Sequence, residues 1–332
     1  MTAAPNDATF RTLFEPHRRP VTLHCYRMLG SLQDAEELVQ ETLLRAWQRR
    51  DEVRSPGALR AWLYQIATNA CLDHLAKLRR RRRALPHLVA SPSAAGQLGP
   101  AADEQLWIEP APDSLLDVED NADQRPDERT SRRESIGLAF ITALQLLPPK
   151  QRAALLLVDV LGWTPQDTST LLEASTFSIN SLLQRARKSV GARSHDAELP
   201  QVSSADEALL RRFICSWESG DIDAFTALLA DDAIFSMPPQ PEWYRGREAI
   251  GRFFAAVWAA LPSQRRLLPL AANGGHALAV YVRPMLTNGA YEASAITLVT
   301  IREGRVAELT RFGSLRLFPL FQLPSQLPGE RE

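Results

Sequence analysis

At 332 residues, with 45% hydrophobic and 23% charged side chains, the chain has an ordinary globular composition and more length than one hydrophobic core usually holds. No run approaches the ~18 apolar residues of a membrane span, and MTAAPNDATF lacks the basic start and apolar stretch of a secretion signal, so no membrane role is expected and the cytoplasm is the expected location. Cys25, Cys71 and Cys215 lie far apart on apolar helical faces and match neither zinc spacing nor a disulfide framework; they read as buried free thiols, with no metal or cofactor expected.

The formal net charge of -1 is a cancellation between segments. Residues 1–90 hold 15 Lys+Arg against 9 Asp+Glu, and residues 91–135 hold 4 against 11. The remainder is near neutral: 6 against 5 over 136–200 and 13 against 14 over 201–332. A basic block, an acidic linker, a compact helical block and a neutral tail therefore follow one another.

In SLQDAEELVQETLLRAWQRR, Ala35, Leu38, Val39, Thr42, Leu43, Ala46 and Trp47 repeat at helical spacing, and Ser31 with Asp34 reads as a capping box. Glu37, Gln40, Glu41 and Arg45 take the other face, open to reading as solvated surface. After the break at Ser55-Pro56-Gly57, a second helix is predicted from Leu59 through Leu63, Ile66, Ala67 and Ala70, running into five arginines, Arg79 to Arg83. That run suits phosphates, although a solvated helix end would look the same.

Taken together, FEPHRRPVTLHCYRMLGSLQDAEELVQETLLRAWQ and RAWLYQIATNACLDHL resemble region 2 of the sigma-70 family, in its extracytoplasmic-function (ECF) group. The resemblance implies that the first polar face docks on core RNA polymerase, with Asp34, Glu37, Gln40 and Glu41 as candidate contacts. It also implies that the next helix reads the minus-10 promoter element through Asn69, Asp73, Lys77, Arg79 and Arg80.

Residues 84–130 have little periodicity and read as a connector. Within it, the prolines of WIEPAPDSLL exclude a helix while Trp107, Ile108, Leu115 and Leu116 want burial, so an extended segment lying on a neighbour is expected. The acidic charge is open to two readings, nucleic-acid mimicry or solvation. The segment also resembles the linker of the ECF subset with a C-terminal extension.

From Ser131, SRRESIGLAFITALQLLPPKQRAALLLVDVLGW gives two apolar helices around Pro148-Pro149. GWTPQDTSTLLEASTFSINSLLQRARK then reads as a helix-turn-helix: Thr164 and Asp167 cap the first helix, and Ser175 caps the second. Ile179, Leu182, Leu183, Ala186 and Val190 form the inward stripe, and Ser178, Ser181, Arg185 and Lys188 the opposite face. Hydroxyls and the arginine there suit base edges and phosphates. Glu173 stands where such turns often use glycine, and Phe177 is open to contact with a thymine methyl or packing under the turn. The whole stretch resembles sigma region 4, which implies minus-35 contacts from Ser175, Thr176, Phe177, Ser178, Ser181, Gln184, Arg185 and Lys188.

The tail begins with the helices EALLRRFICSWESG and DIDAFTALLAD, then the strand AIFSMP and the helix GREAIGRFFAAVWAAL, and ends in a meander of strands with glycine turns, an α+β arrangement. With MPPQPEWYRGREAI it resembles the SnoaL-like branch of the nuclear transport factor 2-like cone. Met237, Trp243, Tyr244, Trp258 and Glu292 are the candidates for lining a cavity that would take a small apolar ligand. His276 is expected at an exposed turn, and no catalytic pair can be placed on one wall. The terminal LRLFPLFQLP is the candidate segment for docking the tail on the other domains or for closing the tail's own core.

The expected architecture is multidomain: two all-α sigma domains, region 2 over residues 8–84 and region 4 over 131–194, joined by a linker over 85–130 and followed by an α+β cone-shaped SnoaL-like domain over 205–318. The expected partners are core RNA polymerase and promoter DNA, with a separate anti-sigma factor left open. Two rivals remain: a ligand-sensing DNA-binding regulator, and an isomerase- or cyclase-like enzyme fused to a DNA-binding region.

Overall fold

The computed structural model describes residues 7–50, 56–78, 83–93, 107–116, 137–194, 204–285 and 289–329. It divides into two compact units, residues 1–83 with 114–198, and residues 84–113 with 199–332.

The first unit is helical. α1 (Asp7–Leu29), α2 (Leu32–Gln48) and α3 (Pro56–Lys77) pack on one another. Gly30 turns the α1–α2 corner at φ 70°, where a side chain would be strained. Ser31 Oγ then caps α2 by accepting from the Asp34 N–H at 3.1 Å. The positions Ala35, Leu38, Val39, Thr42 and Ala46 are buried on α2, as are Leu63, Ile66, Ala67 and Ala70 on α3. α3 starts at Pro56 rather than Leu59, because proline fits a first helical turn.

The same unit continues through the one-turn helix α5 (Asp113–Leu116) to α6 (Leu138–Gln145), α7 (Pro149–Leu155), α8 (Pro165–Leu171) and α9 (Thr176–Ser194). The α5 turn forms just after the prolines that were expected to exclude helix from its segment. A π turn over Leu156–Val160 extends α7. Thr164 caps α8, its Oγ1 accepting from the Asp167 N–H at 3.1 Å, while its hydroxyl donates to Asp167 Oδ2 at 2.6 Å, so the Asp167 carboxylate binds the capping hydroxyl instead of the Thr164 backbone N–H.

The two helical groups of this unit meet at Arg152, which is 3% exposed. Its guanidinium donates to the Gln145 and Leu147 carbonyls at 3.0 and 3.1 Å, and also to the Met28 carbonyl and to Gln145 Oε1. Gln145 in turn donates to the Arg27 carbonyl at 3.0 Å. A cation at the carbonyl ends of α1 and α6 complements both helix dipoles.

The second unit carries α4 (Pro86–Val89), α10 (Ser204–Ser219), α11 (Ile222–Ala227), β1 (Leu229–Ser236), β2 (Trp243–Arg245), α12 (Arg247–Ala260), β3 (Ser263–Ala272), β4 (Gly275–Pro284), β5 (Tyr291–Arg302), β6 (Arg305–Phe312), α13 (Leu317–Leu320) and β7 (Gln326–Leu327). Strand order is β2-β1-β6-β5-β4-β3 with β7 on β5; β1 and β6 run parallel and the other pairs antiparallel. Asn273-Gly274 and Glu303-Gly304 turn the two long hairpins with consecutive positive φ, 50° and 72°, then 54° and 70°, the primed geometry that matches strand twist.

One face of the sheet meets α10, α11 and α12 over a core that includes Phe213, Trp217, Phe225, Phe235, Phe253, Phe254, Leu278, Val299 and Leu309. On the other face, Phe318 of α13 is 1% exposed and its ring centroid lies 5.4 Å from that of Tyr281, whose hydroxyl donates to the Pro324 carbonyl at 2.9 Å. LRLFPLFQLP thus closes the tail's own sheet, and Leu317 and Phe318 are not free for docking elsewhere. His276 is buried at 8% exposure, not exposed as expected, because Asn273-Gly274 rather than Gly274-Gly275 make the turn and His276 is already in β4. Of the cysteines, Cys25 and Cys71 are buried and Cys215 is exposed, since α10 turns it outward.

The described linker residues pack with the tail. Ala84 bridges Trp107, and Trp107 and Ile108 are buried as their apolar character demanded. Ala111 and Asn273 hold each other, Asn273 N–H to the Ala111 carbonyl at 3.0 Å and Ala111 N–H to Asn273 Oδ1 at 2.9 Å, while Gly274 N–H donates to Asp113 Oδ1 at 2.8 Å. At the other end, Trp243 Nε1 donates to the Ala90 carbonyl at 3.0 Å and accepts from the Ser93 N–H through its own carbonyl at 2.8 Å.

Candidate nucleic-acid interface

α9 is built to present one polar face. Ser175 caps it, accepting from the Ser178 N–H at 3.2 Å, and the Thr176 hydroxyl ties it to Gln166 of α8 at 2.9 Å. Ile179, Leu183, Ala186 and Val190 turn inward, with Leu182 half-buried. Opposite them, Ser178, Gln184, Arg185 and Lys188 are exposed and Ser181 is half-buried. Phe177 is 81% exposed, so it does not pack under the turn. Glu173 takes φ 50°, accepting the strain that glycine would avoid. Arg187, which the pattern did not single out, bridges to Asp159 at 2.7 Å and fixes α9 on the π turn.

On α3, Asn69, Asp73 and Lys77 share one exposed stripe at a spacing of four, and Gln65 extends it by a turn. Arg79 and Arg80 lie outside the described residues. The stripe is backed by a buried pair, His24 and Thr68, whose Nε2 and Oγ1 are 2.9 Å apart.

On α2, Glu37 and Gln40 are exposed, and Glu41 is held by Arg45 one turn on at 2.6 Å. Asp34 does not belong with them. Its carboxylate faces inward, 3.2 Å from His74 Nε2 and paired with Arg83, so the reciprocal half of the expected capping box is missing. Burial opposes its ionisation, but the His74 hydrogen bond and the Arg83 charge prevail and hold its pKa below the ordinary value. Asp34 ties α2 to the end of α3.

The tail candidates do not gather around one cavity. Met237 and Tyr244 are buried in the aromatic core, Tyr244 with its ring centroid 4.7 Å from that of Phe253. Trp243 holds the linker, Trp258 stacks under the Arg265 guanidinium at 4.7 Å, and Glu292 is exposed and accepts from Gln326 at 3.0 Å.

Three family profiles match in order: sigma-70 region 2 over residues 13–81, sigma-70 region 4 over 137–190 and the SnoaL-like domain over 210–309. The chain is 42% identical over 319 residues to the ECF RNA polymerase sigma factor SigG of Mycobacterium tuberculosis, covering 94% of this chain and 83% of that protein. The chain belongs to the ECF sigma factors. It is also 26% identical over 310 residues to SigJ of the same organism, covering 89% of each. The crystal structure of that SigJ shares the fold, with a TM-score of 0.57 at 21% identity over 94% of this chain and 99% of that one.

For an ECF sigma factor, α1–α3 are region 2 and α6–α9 region 4, and the SnoaL-like tail is an extension of a transcription factor rather than the body of an enzyme. Among the described residues no helix is long and apolar enough to cross a membrane.

Proposed function

We propose that this sigma factor binds core RNA polymerase through the outward face of α2 at Glu37, Gln40 and Glu41, and meets the minus-10 element with the α3 stripe of Asn69, Asp73 and Lys77 and with Arg79 and Arg80, which follow in sequence. The face of α9 from Ser175 to Lys188 reads the minus-35 element, its arginine and lysine taking phosphate or guanine and its hydroxyls base edges. The work is done in the cytoplasm, where promoters and polymerase are. The observation that supports this reading is that the described residues of all three sets lie on outward helical faces whose opposite sides build the core.

The tail modulates this activity through the linker. The Asn273-Gly274 turn and Trp243 grip residues 90–93 and 111–113, which connect region 2 to region 4, so the tail limits what conformations that connection can take. Run-off transcription with purified core polymerase tests the whole reading. Full-length protein should initiate at its promoter, Glu37→Lys with Glu41→Lys should lose core binding while keeping helix content, and truncation after Pro200 should change the initiation rate. Initiation by the charge-reversed protein at the wild-type rate would reject the docking face, and an unchanged rate after truncation would reject the tail's role.

A further inference from the structure

Asp34 stands in the first turn of α2, the helix proposed to face polymerase, yet its carboxylate serves α3. Its side chain is 19% exposed and that of Arg83 6%, so most of the pair is withdrawn from a partner that docks from outside. One oxygen, Oδ2, takes both donors: His74 Nε2 at 3.2 Å and the Arg83 guanidinium.

The two donors lie on either side of the end of α3. His74 comes one residue after Asp73 and three before Lys77, and its carbonyl accepts from the Leu78 N–H at 3.1 Å where the helix closes. Last turns of helices fray, because their final carbonyls have no partner within the helix. A ring anchored on another helix holds that turn, and with it the exposed side chains of Asp73 and Lys77. Arg83 acts beyond the helix. It ends the run Arg79 to Arg83, and four arginines separate it from Leu78, so the clasp fixes the chain on the far side of the run while α3 fixes the near side. A segment whose ends are already held loses less freedom on meeting a phosphate backbone.

We infer that Asp34 is a positioning residue for the minus-10 contacts, and that Arg83, although it belongs to the arginine run, is spent on Asp34 and touches no phosphate. This rests on the minus-10 reading of α3 proposed above. It moves Asp34 from the polymerase contacts, where the resemblance put it, to the support of the promoter-reading helix, and it takes one arginine out of the run that suits phosphates.

The test is promoter opening by holoenzyme assembled from core polymerase and the full chain, followed by the fluorescence of a base analogue within the minus-10 element, at a temperature where circular dichroism shows every variant folded. Asp34→Asn should slow opening by about tenfold and leave affinity for core unchanged. Arg83→Met should slow it similarly without altering the salt dependence of promoter binding, because no phosphate contact has been lost. The two substitutions together leave no charge of the pair unpartnered, so the double variant should melt nearer wild type than Arg83→Met alone and still open as slowly as either single variant. Val39→Ala, which loosens the buried side of α2 away from the clasp, should open at the wild-type rate. Slowing by Val39→Ala to the same extent would reduce the effect to stability and overturn the inference. So would loss of core affinity in Asp34→Asn, or a salt slope lowered by about one in Arg83→Met, which would put that arginine on a phosphate. Asn69→Ala with Lys77→Ala separates this inference from the reading beneath it: slowing by that pair but not by Asp34→Asn would reject the clasp alone, and opening by that pair at the wild-type rate would reject the stripe and the inference with it.

Discussion

Arg152 on α7 and Met28 at the end of α1 are joined by a hydrogen bond from a buried guanidinium to a backbone carbonyl. The same side chain also donates to the Gln145 carbonyl, Gln145 Oε1 and the Leu147 carbonyl. Region 2 and region 4 therefore share a polar joint whose acceptors are helix ends. Arg152→Met should leave those carbonyls without their donor, at roughly 1–3 kcal/mol each, and so lower the unfolding free energy by about 3 kcal/mol or more in a denaturant titration. Arg152→Lys should not restore it, because one ammonium lacks the planar fork that spans both helix ends. A loss under about 1 kcal/mol for the methionine variant would show that the joint adds little.

Gly30 tests the same joint from the region 2 side. A Cβ on Gly30 would sit 2.9 Å from Gln145 Cδ, and the backbone there is at φ 70°. Gln145 cannot swing aside cheaply, being 1% exposed and bonded to Arg27 and Arg152. Left-handed strain and overpacking together put the cost of Gly30→Ala at about 3 kcal/mol. A melting temperature equal to wild type would mean that the corner relaxes freely.

His24 gives a pH signature. Burial, aided by the Arg27 charge, pushes its pKa from 6.5 to about 3, so the folded protein keeps it neutral while the unfolded chain protonates it below 6.5. The unfolded state binds the extra proton throughout that window, hence stability should rise with pH from about 3 to 6.5 and fall on acidification by up to ~1.4 kcal/mol per pH unit. Asp34 works in the same direction lower down: its depressed pKa gives stability that is present above the ordinary carboxylate value of 3.8 and lost as pH falls through the folded value. His24→Gln, which can keep a hydrogen bond to Thr68, should flatten the profile between pH 4 and 6.5. A slope unchanged by that substitution would assign the proton uptake elsewhere.

Helical periodicity and capping made the sigma domains legible, because the inward stripes of α2, α3 and α9 are local patterns that tertiary packing did not override. The glycine turns and strand runs likewise gave the tail its α+β character. What stayed hidden depends on long-range partners. Asp34 looks like any first-turn acid until Arg83, beyond the end of the next helix, is brought to it. Trp243 reads as a cavity wall until the linker presents the Ala90 carbonyl, and Arg152 carries no local signal of its role until α1 ends beside it.

The linker grip predicts a local effect without a global one. Asn273→Gly keeps a residue able to hold φ 50° but removes the Oδ1 that accepts from the Ala111 N–H. Hydrogen exchange at Ala111 should speed up by about tenfold or more while core amides of β4 and β5 exchange as in wild type. Equal protection at Ala111 in both proteins would mean that the contacts the substitution leaves in place, the backbone N–H bonds to Ala111 and Asp113 and the Pro112–Ala272 bridge, hold the linker without Oδ1.

The reading helix allows fold and recognition to be separated, because its candidate contacts sit on the face that the core does not use. Phe177 is 81% exposed, so Phe177→Ser should change stability by no more than about 0.5 kcal/mol. If its ring meets a thymine methyl, the same substitution should relax selectivity at a single minus-35 position and leave other positions alone. Arg185 bonds through Nε to its own helix at the Ser181 carbonyl, 3.2 Å away, which steadies the side chain while its terminal nitrogens remain for DNA. Arg185→Ala should cost ~1–3 kcal/mol of discrimination at one base if the contact is to guanine, or weaken binding uniformly and reduce the salt slope if it is to phosphate. Binding to promoter variants at two salt concentrations distinguishes these. The assignment of this face fails if the double variant, folded and bound to core polymerase, transcribes from the promoter with wild-type rate and selectivity.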